Sequence, residues 1–129
     1  KKQNVRILLA EDNLVNQNVA IKFFGKLGYN VDVASNGKEA IAALSIHKFD
    51  IVFMDCQMPE MDGYEATGEI RNTDSPVLDH NVPIIAMTAN GMTGDREKCI
   101  KAGMNDYLAK PIRPQELSDM LDKWIGRCS

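Results

Sequence analysis

Apolar positions along the chain follow two alternating rhythms from one end to the other. Val5-Arg6-Ile7-Leu8-Leu9-Ala10, Asp50-Ile51-Val52-Phe53-Met54 and Val82-Pro83-Ile84-Ile85-Ala86-Met87 are short, nearly unbroken apolar runs. That pattern suits strands covered on both faces of a parallel sheet. Asn30-Val31-Asp32-Val33-Ala34 and Asp106-Tyr107-Leu108-Ala109 read as briefer strands. Between these runs apolar residues recur at three- and four-residue spacing, the period of a helix with one buried face. Leu14 to Leu27 predicts the first helix, with Val19, Ala20, Phe23 and Leu27 as its buried stripe and Gly28 as its stop. A second helix is expected over Lys38 to His47, with Ala40, Ile41 and Leu44 inward. A third runs from about Tyr64 to Arg71 and a fourth from about Thr93 to Ala102. The last carries Leu117, Met120, Leu121, Trp124 and Ile125 on its buried face. Asn36-Gly37, the segment holding Pro59 and Gly63, and the polar stretch 72–81 are turns and loops.

Five βα units in succession imply a doubly wound α/β fold with right-handed crossovers. The expected form is a flavodoxin-like (βα)5 three-layer sandwich, its parallel sheet ordered 2-1-3-4-5. With 129 residues, the chain is expected to be a single domain over 1–129, long enough to bury its own core. Ligands in such sheets bind beyond the carboxyl ends of the strands, where the strand order reverses. Here that place lies between the first and third strands.

Composition narrows the picture without changing it. The content is 44% apolar and 26% charged with a net charge of −3, ordinary for a soluble protein. The scattered basic residues argue against direct nucleic-acid contact. No apolar run approaches the ~20 residues of a membrane span, and no signal peptide opens the chain. The first residue, Lys1, suggests a piece of a longer protein. Cys56, Cys99 and Cys128 are far apart and form no C-x-x-C pair, so they are expected to be reduced thiols. His47 and His80 are expected to be solvated surface residues.

The singular polar residues all fall at one edge. The first strand ends in Glu11-Asp12, the third in Asp55, the fourth in Thr88 and the fifth in Lys110. Each alone has a plain explanation, such as a helix cap, a turn former or a surface lysine. Their joint placement at the ends of four strands points to chemistry. In the expected order three carboxylates converge, and like charges at close range call for a cation. Mg²⁺ typically takes one or two carboxylates, several waters and a phosphate. Lys110 adds a compact positive charge beside Asp55 and Thr88 a hydroxyl. Such a set supports phosphoryl transfer, with Asp55 as the nucleophile.

The segments Leu9-Ala10-Glu11-Asp12-Asn13, Met54-Asp55-Cys56-Gln57-Met58-Pro59-Glu60-Met61-Asp62-Gly63, Met87-Thr88-Ala89 and Tyr107-Leu108-Ala109-Lys110-Pro111 resemble response-regulator receiver domains of two-component phosphorelays. The resemblance covers essentially the whole chain. It implies that Glu11, Asp12, Asp55 and the backbone carbonyl of Gln57 hold Mg²⁺, with Mn²⁺ as a substitute. Asp55 would take a phosphoryl group from a phosphohistidine, with Lys110 and Thr88 as its catalytic neighbours. Thr88 and Tyr107 would form the switch that alters the surface of the fourth helix, fifth strand and fifth helix. The resemblance also implies a cis peptide before Pro111, while Gln57, Ala89 and Asn90 border the site. The domain would catalyse only its own aspartyl phosphorylation and dephosphorylation.

More narrowly, Glu11-Asp12-Asn13, Asn16-Gln17 and Gly103-Met104-Asn105-Asp106-Tyr107 resemble the receivers of hybrid sensor histidine kinases. That implies a cytoplasmic domain, within a parent that can itself be membrane-bound. It also implies a histidine kinase domain or a histidine-phosphotransfer protein as partner. Leu14, Val15 and Ile21 lie off the predicted buried stripe and are expected to form an apolar docking patch for that partner. The alternatives are a stand-alone adaptor receiver or the receiver of a DNA-binding regulator. A haloacid-dehalogenase-like phosphatase would need an acid where Gln57 stands. A flavodoxin-like cofactor binder would not place Glu11-Asp12 against a phosphate.

Overall fold

The computed structural model describes residues 5–88, 93–110 and 112–125, with the backbone alone for 93–95. Ala89, Asn90 and Pro111, including the expected cis peptide, lie outside the described residues. Among the described residues five strands and five helices alternate. They are β1 (Ile7–Ala10), α1 (Leu14–Lys26), β2 (Val31–Ala34), α2 (Gly37–Ile46), β3 (Ile51–Asp55), α3 (Gly63–Arg71), β4 (Ile84–Thr88), α4 (Thr93–Ala102), β5 (Asp106–Ala109) and α5 (Pro114–Trp124). The sheet is parallel throughout, in the order β2-β1-β3-β4-β5. The expected fold and strand order are therefore observed.

Alternation along the strands builds two cores. Leu8, Ala10, Val52, Met54, Ile84 and Ala86 face one way, against Ala40 and Leu44 of α2, Ala66 and Ile70 of α3 and Cys99 of α4. Ile7, Leu9, Ile51, Phe53, Ile85 and Met87 face the other, against Ala20 and Phe24 of α1 and Leu117 and Leu121 of α5. Phe24 meets Phe53 edge-on with ring centroids 5.2 Å apart. Burying a side chain of that size contributes about 2–3 kcal/mol.

α1 corrects the sequence reading. Its buried residues are Gln17, Ala20 and Phe24, whereas Val19 is 43% exposed and Phe23 and Leu27 pack only at the margin of the core. The helix is apolar on two adjacent faces, and the face that meets the sheet is the one carrying the smaller Ala20 and the polar Gln17.

The register sets the site. β1 pairs with β3 up to Ala10↔Met54, so the next step along both strands brings Glu11 level with Asp55. β3 pairs with β4 up to Asp55↔Met87, and β4 with β5 up to Thr88↔Ala109. The Cys56 amide donates to the Met87 carbonyl (3.1 Å) and the Lys110 amide to the Thr88 carbonyl (2.7 Å), extending both ladders past the strand ends.

Candidate functional site

Glu11, Asp12 and Asp55 each offer a carboxylate oxygen, all within 4.8 Å of one another. Glu11 is 2% and Asp55 5% exposed, while Asp12 opens to solvent. The Lys110 ammonium reaches in from the end of β5, donating to Asp55 Oδ2 at 2.8 Å and Glu11 Oε1 at 2.9 Å. Burial works to lower the Lys110 pKa, but its bonds to Asp55 and Glu11 and their charges outweigh burial and hold it above the ordinary lysine value. One ammonium among three carboxylates leaves the cluster acidic. A divalent cation with oxygen ligands fits such a donor set.

The second oxygens of Asp55 and Glu11 are held by backbone. The Gln57 amide donates to Asp55 Oδ1 (3.1 Å), and the Asn13 amide to Glu11 Oε2 (3.1 Å). Asn13 also caps α1, its side chain accepting from the Asn16 amide. Asp62 caps α3 with a reciprocal bond pair to Glu65. Both helices thus start at the edge where the strands end, where their N-termini favour negative charge. Gln57 is exposed on the rim of the cleft, together with Asn16 and Pro59 and the half-buried Met58.

Gly63 is fixed by the end of β3. A Cβ there would overlap the carbonyl oxygen of Asp55, and the Gly63 amide donates to the Cys56 carbonyl at 3.1 Å. Beside them lie the Cys56 thiol and the Tyr64 phenol. Burial pushes the Cys56 thiol up to about 12 despite a hydrogen bond from Tyr64, and burial likewise raises the Tyr64 phenol. Cys56 and Cys99 are both buried and free of disulfides.

Thr88 is 2% exposed at the end of β4. Tyr107 stands opposite Ala86 in the β4–β5 register and packs half-buried on the core face of α2, α3 and α4. Strand alternation puts Thr88 and Tyr107 on that same face, two steps apart along the ladder. Leu14 and Val15 are 71% and 69% exposed, and Ile21 and Val19 are exposed as well. A cavity of about 190 Å³ is lined by Val19, Phe23, Leu9, Met87, Ile112, Glu11 and Lys110, among others.

Sequence reasoning missed three residues that hold this frame. Gln17, buried on α1, donates from Nε2 to the Glu11 carbonyl at 2.5 Å. Arg71 donates to the carbonyls of Gly103, His80 and Val82 and to Asn105 Oδ1. His80 is not a freely solvated residue. Its Nδ1 lies 2.9 Å from the Ile70 carbonyl, where only the tautomer protonated at Nδ1 makes a bond.

With this geometry described, comparison with known proteins identifies the class. Residues 7–122 match the family described as response regulator receiver domain. The chain is 43% identical over 130 residues to hybrid signal transduction histidine kinase B of Dictyostelium discoideum, covering 94% of this chain and 7% of that protein. It is 36% identical over 140 residues to probable histidine kinase 4 of Oryza sativa subsp. japonica, covering 95% of this chain and 14% of that protein. The chain thus spans a small part of the curated relatives it matches.

Among solved structures, it resembles the receiver domain of sensor histidine kinase PA1611 from Pseudomonas aeruginosa PAO1. That structure holds a magnesium ion coordinated in the active site cleft. The identity is 48% and the TM-score 0.84, over 95% of this chain and 98% of that one. It also resembles a chain in the co-crystal structure of the Saccharomyces cerevisiae histidine phosphotransfer protein Ypd1 with the receiver domain of Ssk1. There the identity is 30% and the TM-score 0.83, over 96% of this chain and 90% of that one. The chain belongs to the response regulator receiver domain family.

Proposed function

We propose that this domain receives a phosphoryl group on Asp55 from a phosphohistidine in a phosphorelay of the hybrid histidine kinase type. The observation that carries the reading is the Lys110 ammonium held between Asp55 and Glu11, with Asp12 completing the acidic cluster. Glu11, Asp12, Asp55 and the Gln57 carbonyl are the proposed Mg²⁺ ligands. When bound, the ion neutralises the cluster and the charge of the incoming phosphoryl group.

The chain's own residues supply the rest. A carboxylate oxygen of Asp55 attacks phosphorus, the P–O bond forms as the P–N bond to the donor imidazole breaks, and the imidazole leaves with the P–N electron pair, taking any proton it needs from solvent. Lys110 stays within reach of Asp55 Oδ2 and balances the charge that develops on the phosphoryl oxygens. Gln57, which lines the cleft, is proposed to govern access of the water that would hydrolyse the phosphoryl group. Asn90 is proposed to share that role.

The phosphoryl group adds roughly −1.5 to −2 charge and three acceptor oxygens. Thr88 is the proposed first reader, through its hydroxyl. Tyr107 shares its face of the sheet, so movement at Thr88 frees or fills the space beside Tyr107. Only the state with extra contacts to the phosphoryl group is favoured by it.

The apolar α1 surface of Leu14, Val15, Val19 and Ile21 is the proposed docking face for a histidine-phosphotransfer partner, with the cavity that Val19 lines as a socket for an apolar side chain. The location is proposed to be cytoplasmic and the contacts to be with protein alone, rather than nucleic acid or lipid. Among the described residues no helix is long and apolar enough to cross a membrane.

The test is incubation with Mg²⁺ and acetyl phosphate, read by intact mass. The native chain should gain one phosphoryl group and Asp55→Asn none. Equal gain in both would remove Asp55 as the acceptor.

A further inference from the structure

Gln17 is a buried amide on a helix whose other buried residues are apolar. It lies in the first turn of α1, where its backbone amide donates to the Asn13 carbonyl (2.9 Å). Its side chain turns back over that turn to the carbonyl of Glu11. A carbonyl only accepts, so the amide nitrogen of Gln17 is the atom that faces it.

That carbonyl sits where the sheet runs out. The Glu11 amide makes the last ladder bond of its strand, to the Ala34 carbonyl, and the paired register with β3 has ended one residue earlier. The Glu11–Asp12 peptide is therefore outside the sheet, and it carries two of the three carboxylates of the cluster. Rotation of this one peptide would swing the Asp12 side chain relative to Asp55. The Glu11 side chain has its own restraints in Lys110 and the Asn13 amide. Asp12, by contrast, is exposed and begins at the peptide that Gln17 holds.

We propose that Gln17 is a positioning residue for the cation site. By fixing the Glu11–Asp12 peptide it sets the direction of the Asp12 carboxylate, and with it the affinity for Mg²⁺. The inference rests on the reading of the acidic cluster as a Mg²⁺ site. Groups that orient metal ligands from behind typically change affinity 10–100-fold when removed. Gln17 has no direct access to the ion, so its effect lies at the low end, at roughly tenfold.

The experiment measures Mg²⁺ dissociation constants by isothermal titration calorimetry, with thermal midpoints in parallel. Gln17→Met keeps the volume and removes the donor. Gln17→Asn keeps the amide and removes the reach, so one variant stays informative if the other folds poorly. Ala20→Gly, one turn along on the same buried face, loosens the helix without removing a hydrogen bond. The expected result is a rise of about tenfold in the dissociation constant for both Gln17 variants, with a change of less than about twofold in Ala20→Gly. Unchanged affinity in a folded Gln17 variant, or an equal rise in Ala20→Gly, overturns the proposal and leaves Gln17 a structural residue. Absence of Mg²⁺ binding by the native chain would overturn the reading of the cluster itself, and this inference with it.

Discussion

Gly63 and Asp55 are in backbone contact: any Cβ at residue 63 would overlap the carbonyl oxygen of the proposed acceptor. The start of α3 is thus built directly on the end of β3. Gly63→Ala must push one of the two aside. Overpacking of this kind costs about 1–3 kcal/mol. We expect that loss in urea unfolding, together with slower phosphorylation by acetyl phosphate. A variant with native stability and native phosphorylation would show that the contact is easily relieved.

Lys110→Met removes the cation from between Glu11 and Asp55. Breaking a largely buried pair by deleting one partner costs about 3 kcal/mol, less where water reaches the site. Because Lys110 has a raised pKa, its contribution is complete below the ordinary lysine value. It disappears only as pH rises through the folded-state value, so the loss in the variant should be constant from neutral to mildly alkaline pH. Mg²⁺ should raise the melting midpoint of Lys110→Met more than that of the native chain, because it relieves unopposed carboxylates. An equal Mg²⁺ response in both proteins would count against a shared site.

Asp106 ties α5 to the sheet. Its Oδ2 accepts from Lys123 Nζ (2.7 Å) and Trp124 Nε1 (3.2 Å), and its Oδ1 from the Tyr107 amide (2.9 Å). Burial acts to raise its pKa, but these donors outweigh burial and hold it below the ordinary carboxylate value. Its stabilising effect is therefore present above the unfolded-state pKa and lost as pH falls through the lower folded value. Asp106→Asn should cost about 1–2 kcal/mol at neutral pH and shift Trp124 emission. The difference between variant and native stability should shrink in strong acid, which a denaturant series across acidic pH measures.

Arg71 spans the 72–81 loop and the α4–β5 turn through its fan of hydrogen bonds. Arg71→Lys keeps the charge and loses the planar fork, which no ammonium reproduces. We expect a loss of about 2–3 kcal/mol in chemical denaturation. A loss under about 0.5 kcal/mol, the range of ordinary surface substitutions, would mean that water replaces the fork.

Leu14→Asp with Ile21→Asp changes exposed residues only, so stability should hold within about 0.5 kcal/mol. Transfer from a phosphorylated histidine-phosphotransfer protein should slow by at least about tenfold, a loss of about 1.4 kcal/mol in transition-state contact. Acetyl phosphate should still phosphorylate the variant at the native rate. Equal slowing with both donors would place the damage in the fold rather than at a docking face.

The five parallel strands and the shared edge of Glu11, Asp12, Asp55 and Lys110 were legible in the sequence for the same reason, while the strand order came from the usual arrangement of five βα units. Buried parallel strands leave unbroken apolar runs, and polar residues that end several such runs must share one edge. The α1 stripe was not legible. Val19 and Phe23 lie beside Ala20 and Phe24 on the helix, and periodicity alone gives the width of an apolar surface without saying which part meets the sheet. Gln17 at three and seven residues before Ala20 and Phe24 was the available signal, hidden because a buried amide looks polar. Arg71 and His80 act on backbone carbonyls far along the chain, and no local pattern encodes such partners.

Parallel pairing also acts as a ruler. Glu11 and Asp55 follow directly on a paired step of neighbouring strands, whose separation of about 4.8 Å is common to all β-sheets. The backbone spacing of Glu11 and Asp55 is therefore inherited from peptide geometry. What remains adjustable for this pair is side-chain length. Glu11→Asp would withdraw its carboxylate by one methylene while the backbones stayed in place, so ion preference at this site is a matter of reach.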